Sequence, residues 1–229
     1  MTLLLKRYIS IFSILFSLIQ ISQNMNAQEI KLPPVDIAAG KTFMQAVADR
    51  KSVREFDAAS IVPDSVLGQL LWASVGVNRV NAEKPSNGKQ PVNRSNPTAL
   101  NCQEITAYVF GEKGVWEYLP QSHSLRLVAD GDNRRLIAGT ASFSQEFVLD
   151  APYSVVFVAD TGNLPEGAQR LVLAAFDAGI ACENLTLACS ALGLATVPRA
   201  TMNVEAVSRL LGLDDKQIPM LNNPLGYAR

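Results

Sequence analysis

Apolar positions along this chain follow two periods. Within residues 41–49 (KTFMQAVAD), Phe43, Met44 and Val47 share one face at helical spacing. Residues 63–75 repeat that period: Pro63 and Asp64 open a helix, and Val66, Leu67, Leu70, Leu71 and Val75 line one side. Shorter runs follow. Residues 105–110 and 115–118 flank Gly111-Glu112-Lys113-Gly114, a hairpin signal, and residues 125–129 add a third strand. Residues 134–147 look helical, and residues 153–159 (YSVVFVA) form a continuous apolar strand suited to a sheet centre. Residues 169–192 are interrupted only by Arg170, Asp177, Glu183, Asn184 and a few hydroxyls. A helix apolar on every side is expected to be buried on every side, in a core or at a subunit interface. A membrane span is disfavoured, because each mid-helix acid would cost roughly 3 kcal/mol in lipid. Residues 203–211 predict a last helix and residues 218–221 a last strand. The composite is α+β: a mostly antiparallel sheet wrapped by helices around a long central buried helix.

The remainder of the chain narrows its setting. Residues 29–40 read as a Pro-containing lead-in, and residues 78–96 as a polar loop long enough to be functional or mobile. Ahead of them, Lys6 and Arg7 precede an apolar run over residues 8–21 and a polar stretch over residues 22–27. That layout predicts a signal peptide over residues 1–27, hence an exported, periplasmic protein, with an uncleaved anchor as the alternative. The expected domain covers residues 41–229. Among 229 residues the net charge of −1 excludes a nucleic-acid surface. One histidine, His123, and three cysteines, Cys102, Cys182 and Cys189, have no metal-ligand spacing. Cys182 and Cys189 would lie roughly 10 Å apart along one helix, too far for a disulfide. All three read as small buried apolar groups.

Two segments could carry chemistry. In an extended Arg50-Lys51-Ser52-Val53-Arg54-Glu55-Phe56, Arg50, Ser52 and Arg54 point the same way. Guanidinium forks with a short hydroxyl suit a phosphate, but a solvated basic face has the same composition. Asn96-Pro97-Thr98-Ala99-Leu100-Asn101-Cys102-Gln103 offers amides and hydroxyls that could hold a planar heterocycle edge-on, or simply cap a turn. His123 reads as a turn histidine, Trp72 as core, and Asp177 as a buried structural acid or a catalytic one.

Together the two segments, R-x-S-x-R-x-F and then P-[ST]-x-x-N-x-Q about forty residues later, resemble the nitroreductase family of flavoproteins. Leu70-Leu71-Trp72-Ala73 to Gly76, Ala151-Pro152, Asp177-Ala178-Gly179 through Gly193-Leu194, and Leu225-Gly226-Tyr227 agree with it. The stretch from Tyr118 to Leu125 is similar to the branch of azoline-oxidising dehydrogenases, although their Lys-Tyr pair has no counterpart. The resemblance implies an intertwined homodimer binding FMN at its interface. It puts Arg50 and Ser52, with Lys51 between them, at the FMN phosphate, and Arg54 near the flavin pyrimidine edge. It assigns Pro97, Thr98, Ala99 and Asn101 to a segment supplied by the partner subunit. Where the family often has Glu-Gly beside the flavin N5, this chain has Pro198-Arg199-Ala200-Thr201, with Ala200 and Thr201 as backbone donors. Arg229 is the stand-in for a basic C-terminal arm. The implied function is ping-pong transfer of hydride or electrons, with NAD(P)H as a candidate reductant, to a small-molecule acceptor such as a nitroaromatic or quinone. The alternative is a non-catalytic protein that keeps the fold to bind flavin or another ligand.

Overall fold

Strand β7 (Tyr153–Asp160) has its two faces in two different cores. Val155, Phe157 and Ala159 enter one apolar cluster, while Val156 and Val158 enter a second. Side chains of a strand alternate between faces, so a run apolar at every position must be covered on both. The structure is a computed structural model that describes residues 28–80, 92–167 and 169–229. The expected leader, residues 1–27, and residues 81–91 of the polar loop lie outside the described residues.

Around β7 stand β1 (Glu29–Lys31), β4 (Ile105–Gly111), β5 (Gly114–Leu119), β6 (Ser124–Asp130), β8 (Ala195–Thr196) and β9 (Gln217–Gly226). They form one seven-stranded sheet in the order β1-β6-β5-β4-β7-β9-β8, each described pairing antiparallel. The hairpin at Gly111–Gly114 is as the sequence predicts. One face carries α2 (Asp64–Val75) and α4 (Arg170–Leu192), with α1 (Phe43–Asp49) packed on α4. The other carries α3 (Arg135–Ala138), a 3-10 turn at Glu146–Asp150 and α5 (Val204–Leu211). The short β2 (Val77–Val80) and β3 (Val92–Arg94) pair as a separate ribbon inside the expected loop.

Four elements differ from the reading by periodicity. Residues 134–147 are not one helix: α3 ends at Gly139, whose φ of +150° only glycine adopts freely, and the chain then doubles back. The lead-in supplies β1, whose pairing to β6 is set by tertiary contact and not by its own pattern. The last strand runs on through Asn222, Asn223 and Pro224. Finally, α4 is buried on one face only. Ala174, Ala178, Ala181, Leu185 and Cys189 point into the core, while Leu171, Val172, Phe176 and Ile180 lie exposed in a single chain. By length and composition α4 is also the one helix among the described residues long and apolar enough to cross a membrane.

The three cysteines are buried and free. Burial pushes the Cys182 thiol up to about 12 and that of Cys189 higher still. His123 sits in the β5–β6 turn at φ +49°, hydrogen-bonded to the Tyr118 hydroxyl at 2.8 Å and the Pro33 carbonyl at 3.0 Å. It is a structural residue, as its polar turn suggests.

Candidate functional site

The Arg50–Phe56 segment leaves α1 as extended chain because two edges hold it. The Val53 N–H donates to the Thr196 carbonyl of β8 at 3.0 Å, and Phe56 bridges antiparallel to Ala228. The Arg229 N–H reaches the Glu55 carbonyl at 3.3 Å. Burial along the segment is uneven: Phe56 is fully buried and Val53 half-buried, while Ser52 and Arg54 are exposed.

Two adjoining hollows flank this segment. The first, about 360 Å³, is lined by Lys41, Arg50, Lys51, Thr186, Ser190 and Thr196, among others. The second, about 430 Å³, is lined by Lys51, Ser52, Val53, Arg54, Glu55, Ala228 and Arg229. Lys51, Val53 and Ala228 belong to both, so the hollows make one cleft. Its acids are Asp49 and Glu55, and Asp49 is taken by Lys41 at 2.5 Å. Arg50, Lys51, Arg54 and Arg229 have no ion pair among the described residues. The cleft is therefore cationic, and it holds four of the expected site residues in the 50–54 segment together with Arg229.

Below the cleft lies a polar network that periodicity did not reveal. Asn223, fully buried, accepts from the Cys182 thiol at 2.9 Å and donates to the Thr186 and Thr196 hydroxyls at 3.3 Å. It thereby ties α4, β8 and β9 together under the cleft floor. Asn222, also fully buried, accepts from Arg199 at 2.7 Å and donates to the Thr201 carbonyl at 3.0 Å. Two asparagines inside an apolar strand are the signal that could have found this network, since buried amides need designated partners.

The 198–201 stretch stands beside Asn222, with Arg199 N–H and C=O paired to it at 2.8 and 2.7 Å. Ala200 is exposed and Thr201 half-buried. Arg199 is 7% exposed, and its guanidinium carbon lies 5.6 Å from the centroid of Phe147, whose ring stacks on Phe56. Burial first, then repulsion from Arg54, lowers its pKa to about 10.

Pro97, Thr98, Ala99 and Asn101 are elsewhere in the same chain. The Ala99 N–H donates to Asp177 Oδ2 at 2.8 Å, Thr98 Oγ1 accepts from the Gln103 N–H at 2.9 Å, and Gln103 Nε2 donates to Asn101 Oδ1 at 3.1 Å. Leu100, Asn101 and Gln103 all take left-handed backbone, φ 51°, 53° and 54°. Three such residues in one turn store strain that surrounding bonds must hold, a frequent property of binding loops. Asp177 to Ser190 spans about 20 Å of helix, so this turn does not reach its own chain's cleft.

The Nitroreductase family model matches residues 47–227 of the chain. The chain belongs to the nitroreductase family. It is 24% identical over 206 residues to "Putative nitroreductase MJ1384" of Methanocaldococcus jannaschii, covering 88% of this chain and 97% of that protein. Among solved structures, it is similar to the crystal structure of a putative nitroreductase from Ralstonia eutropha JMP134, at 32% identity and a TM-score of 0.75, covering 89% and 91% of the two chains. The fold extends to a putative NAD(P)H:FMN oxidoreductase of Staphylococcus epidermidis, at 13% identity and a TM-score of 0.58, covering 85% and 91%. The nitroreductase fold is thus the fold of this chain, and membership places it among the oxidoreductases.

Proposed function

We propose that this nitroreductase-family chain is an exported, FMN-dependent oxidoreductase, acting as a homodimer on a small-molecule acceptor. The observation that carries the reading is the cationic cleft over residues 50–54, whose free guanidinium, ammonium and hydroxyl groups fit a phosphate monoester of about −1.5 to −2 charges. Arg50, Lys51 and Ser52 would hold the phosphate, with Arg229 closing from the C-terminal side. Arg54 would stand near the pyrimidine edge, and the exposed Ala200 and half-buried Thr201 would offer N–H groups. FMN, when bound, would supply hydride acceptance from a reductant such as NAD(P)H and electron delivery to a nitroaromatic, quinone or similar acceptor. The protein's part is to bind, orient and electrostatically tune.

A second copy completes the site. Gly179 lies in mid-helix, where glycine costs about 1 kcal/mol relative to alanine, and a Cβ there would meet nothing within 4 Å. Close approach of another helix would account for it. An antiparallel copy of α4 crossing near residues 183–184 would lay the partner's exposed N-terminal half against Phe43, Met44 and Val47 of α1, which are also exposed. The same rotation shifts the partner's strained turn by the 20 Å that separates it from the cleft.

Purified protein tests the reading. The expected result is a yellow dimer that dithionite bleaches and an acceptor reoxidises. Phe176→Glu should give monomers that lose the flavin. A monomeric wild-type protein that ignores added FMN would overturn the proposal. Flavin bound but never reoxidised would indicate a binding protein on the same fold.

A further inference from the structure

A buried charge is ordinarily neutralised by a carboxylate, because desolvation is costly and hydrogen bonds alone do not remove the charge. Arg199 is not neutralised in this way. Its Nε donates to Gln145 Oε1 at 2.8 Å, its Nη1 to Ile137 O at 3.1 Å and Asn222 Oδ1 at 2.7 Å, and its Nη2 to Ala138 O at 3.3 Å. Every one of these acceptors is neutral. The Phe147 face adds a cation–π contact, and the charge that bears on Arg199 is another cation, Arg54. Neither arginine takes part in an ion pair among the described residues. The guanidinium is thus fixed in position, satisfied in hydrogen bonding, and uncompensated in charge.

We propose that Arg199 is a positioning residue whose unbalanced buried charge favours an anionic, electron-rich ligand in the cleft, so that the site binds reduced FMN more tightly than oxidised FMN. This rests on the FMN reading above. Reduction places negative charge on the N1 and C2-carbonyl side of the ring, and a fixed cation in a low-dielectric setting stabilises it without reorganising. Arg54 is exposed and partly screened. Arg199, out of water, is screened less.

The decisive variant is Gln145→Glu, which sets a carboxylate where the neutral amide oxygen stands, 2.8 Å from Arg199 Nε. It neutralises the charge while keeping the hydrogen bond, so thermal unfolding should remain as in the wild type. The ratio of FMN dissociation constants, oxidised over reduced, should fall about tenfold, equivalent to a midpoint potential lower by roughly 30 mV for a two-electron couple. Arg199→Gln should shift the potential the same way, and Arg199→Lys, which keeps the charge, should stay near the wild type. Spectroelectrochemical titration of the bound flavin reads all three. A folded Gln145→Glu protein that binds FMN at wild-type potential overturns the inference and leaves the FMN reading intact. Failure of the wild-type protein to bind FMN would overturn both.

Discussion

Arg94 and Arg199 are both drawn out of water, yet their surroundings are opposite in kind. Arg94 donates to the carbonyls of Ile105 at 3.0 Å and Val75 at 3.4 Å, and burial lowers its pKa while Tyr118 and Glu104 pull it back up. Glu104 is 1% exposed, so an acid and a base share one dry region. Tyr118 in turn holds His123, which ties down the chain at Pro33. That region is closed and electrostatically balanced. Arg199 has neutral acceptors only, and the charge that bears on it is a second cation, Arg54, which lines the cleft. A buried arginine beside a buried acid is a support of the fold. A buried arginine beside another arginine leaves a field, and a field acts on a ligand.

The contrast is broken most forcefully at Arg94. Arg94→Leu takes the compensating charge from Glu104 and should destabilise the fold by about 3 kcal/mol in denaturant titration, with FMN affinity of the folded protein unchanged. Loss of flavin without loss of stability there would reverse the assignment of the two regions. Arg50→Ala should do the opposite: FMN weakens roughly 30-fold, or about 2 kcal/mol, with little change in unfolding midpoint. Retained affinity would mean the phosphate lies elsewhere. Asp177 offers an intermediate case, a buried acid whose Oδ2 accepts from the Ala99 N–H. Asp177→Ala should cost about 1.5 kcal/mol and loosen the strained turn at Leu100 and Asn101, measured by unfolding and by faster amide exchange at Ala99.

How far the sequence exposes this contrast depends on the kind of pattern involved. The central strand, the hairpin, α2 and α5 are legible because local period and local capping agree with the tertiary result, as where the Asn203 side chain accepts from the Ala206 N–H. The cationic segment is legible as a spacing, with half-buried Val53 set between exposed Ser52 and Arg54. Lys41 at the cleft, Asn223 beneath it and the neutral cage of Arg199 are not legible. Each depends on partners from distant elements, Thr186 on α4 and Gln145 ahead of the 3-10 turn among them. The one-sided burial of α4 is invisible for a related reason: composition shows that a face is apolar, not what covers it.

The smallest expected effect sharpens the balanced region and carries a sign. Pro33 O can only accept, so His123 Nε2 carries the proton and Nδ1 accepts from the Tyr118 hydroxyl. Burial holds the Tyr118 phenol above its ordinary range and, more than the opposing Pro33 bond, holds the His123 imidazole below its ordinary value. A histidine whose folded pKa is depressed lets the unfolded chain bind its proton first as pH falls. Its contribution is then fully present above about 6.5 and declines below that, until the folded ring itself protonates. The chain has one histidine, so no other imidazole contributes in this window. Urea midpoints from pH 7.5 to 5 should fall more for the wild type than for His123→Gln, and only modestly, because the ring is half-exposed. FMN affinity should not follow the same curve. Parallel changes in flavin binding would show that the two regions communicate, and the separation drawn from Arg94 and Arg199 would fail.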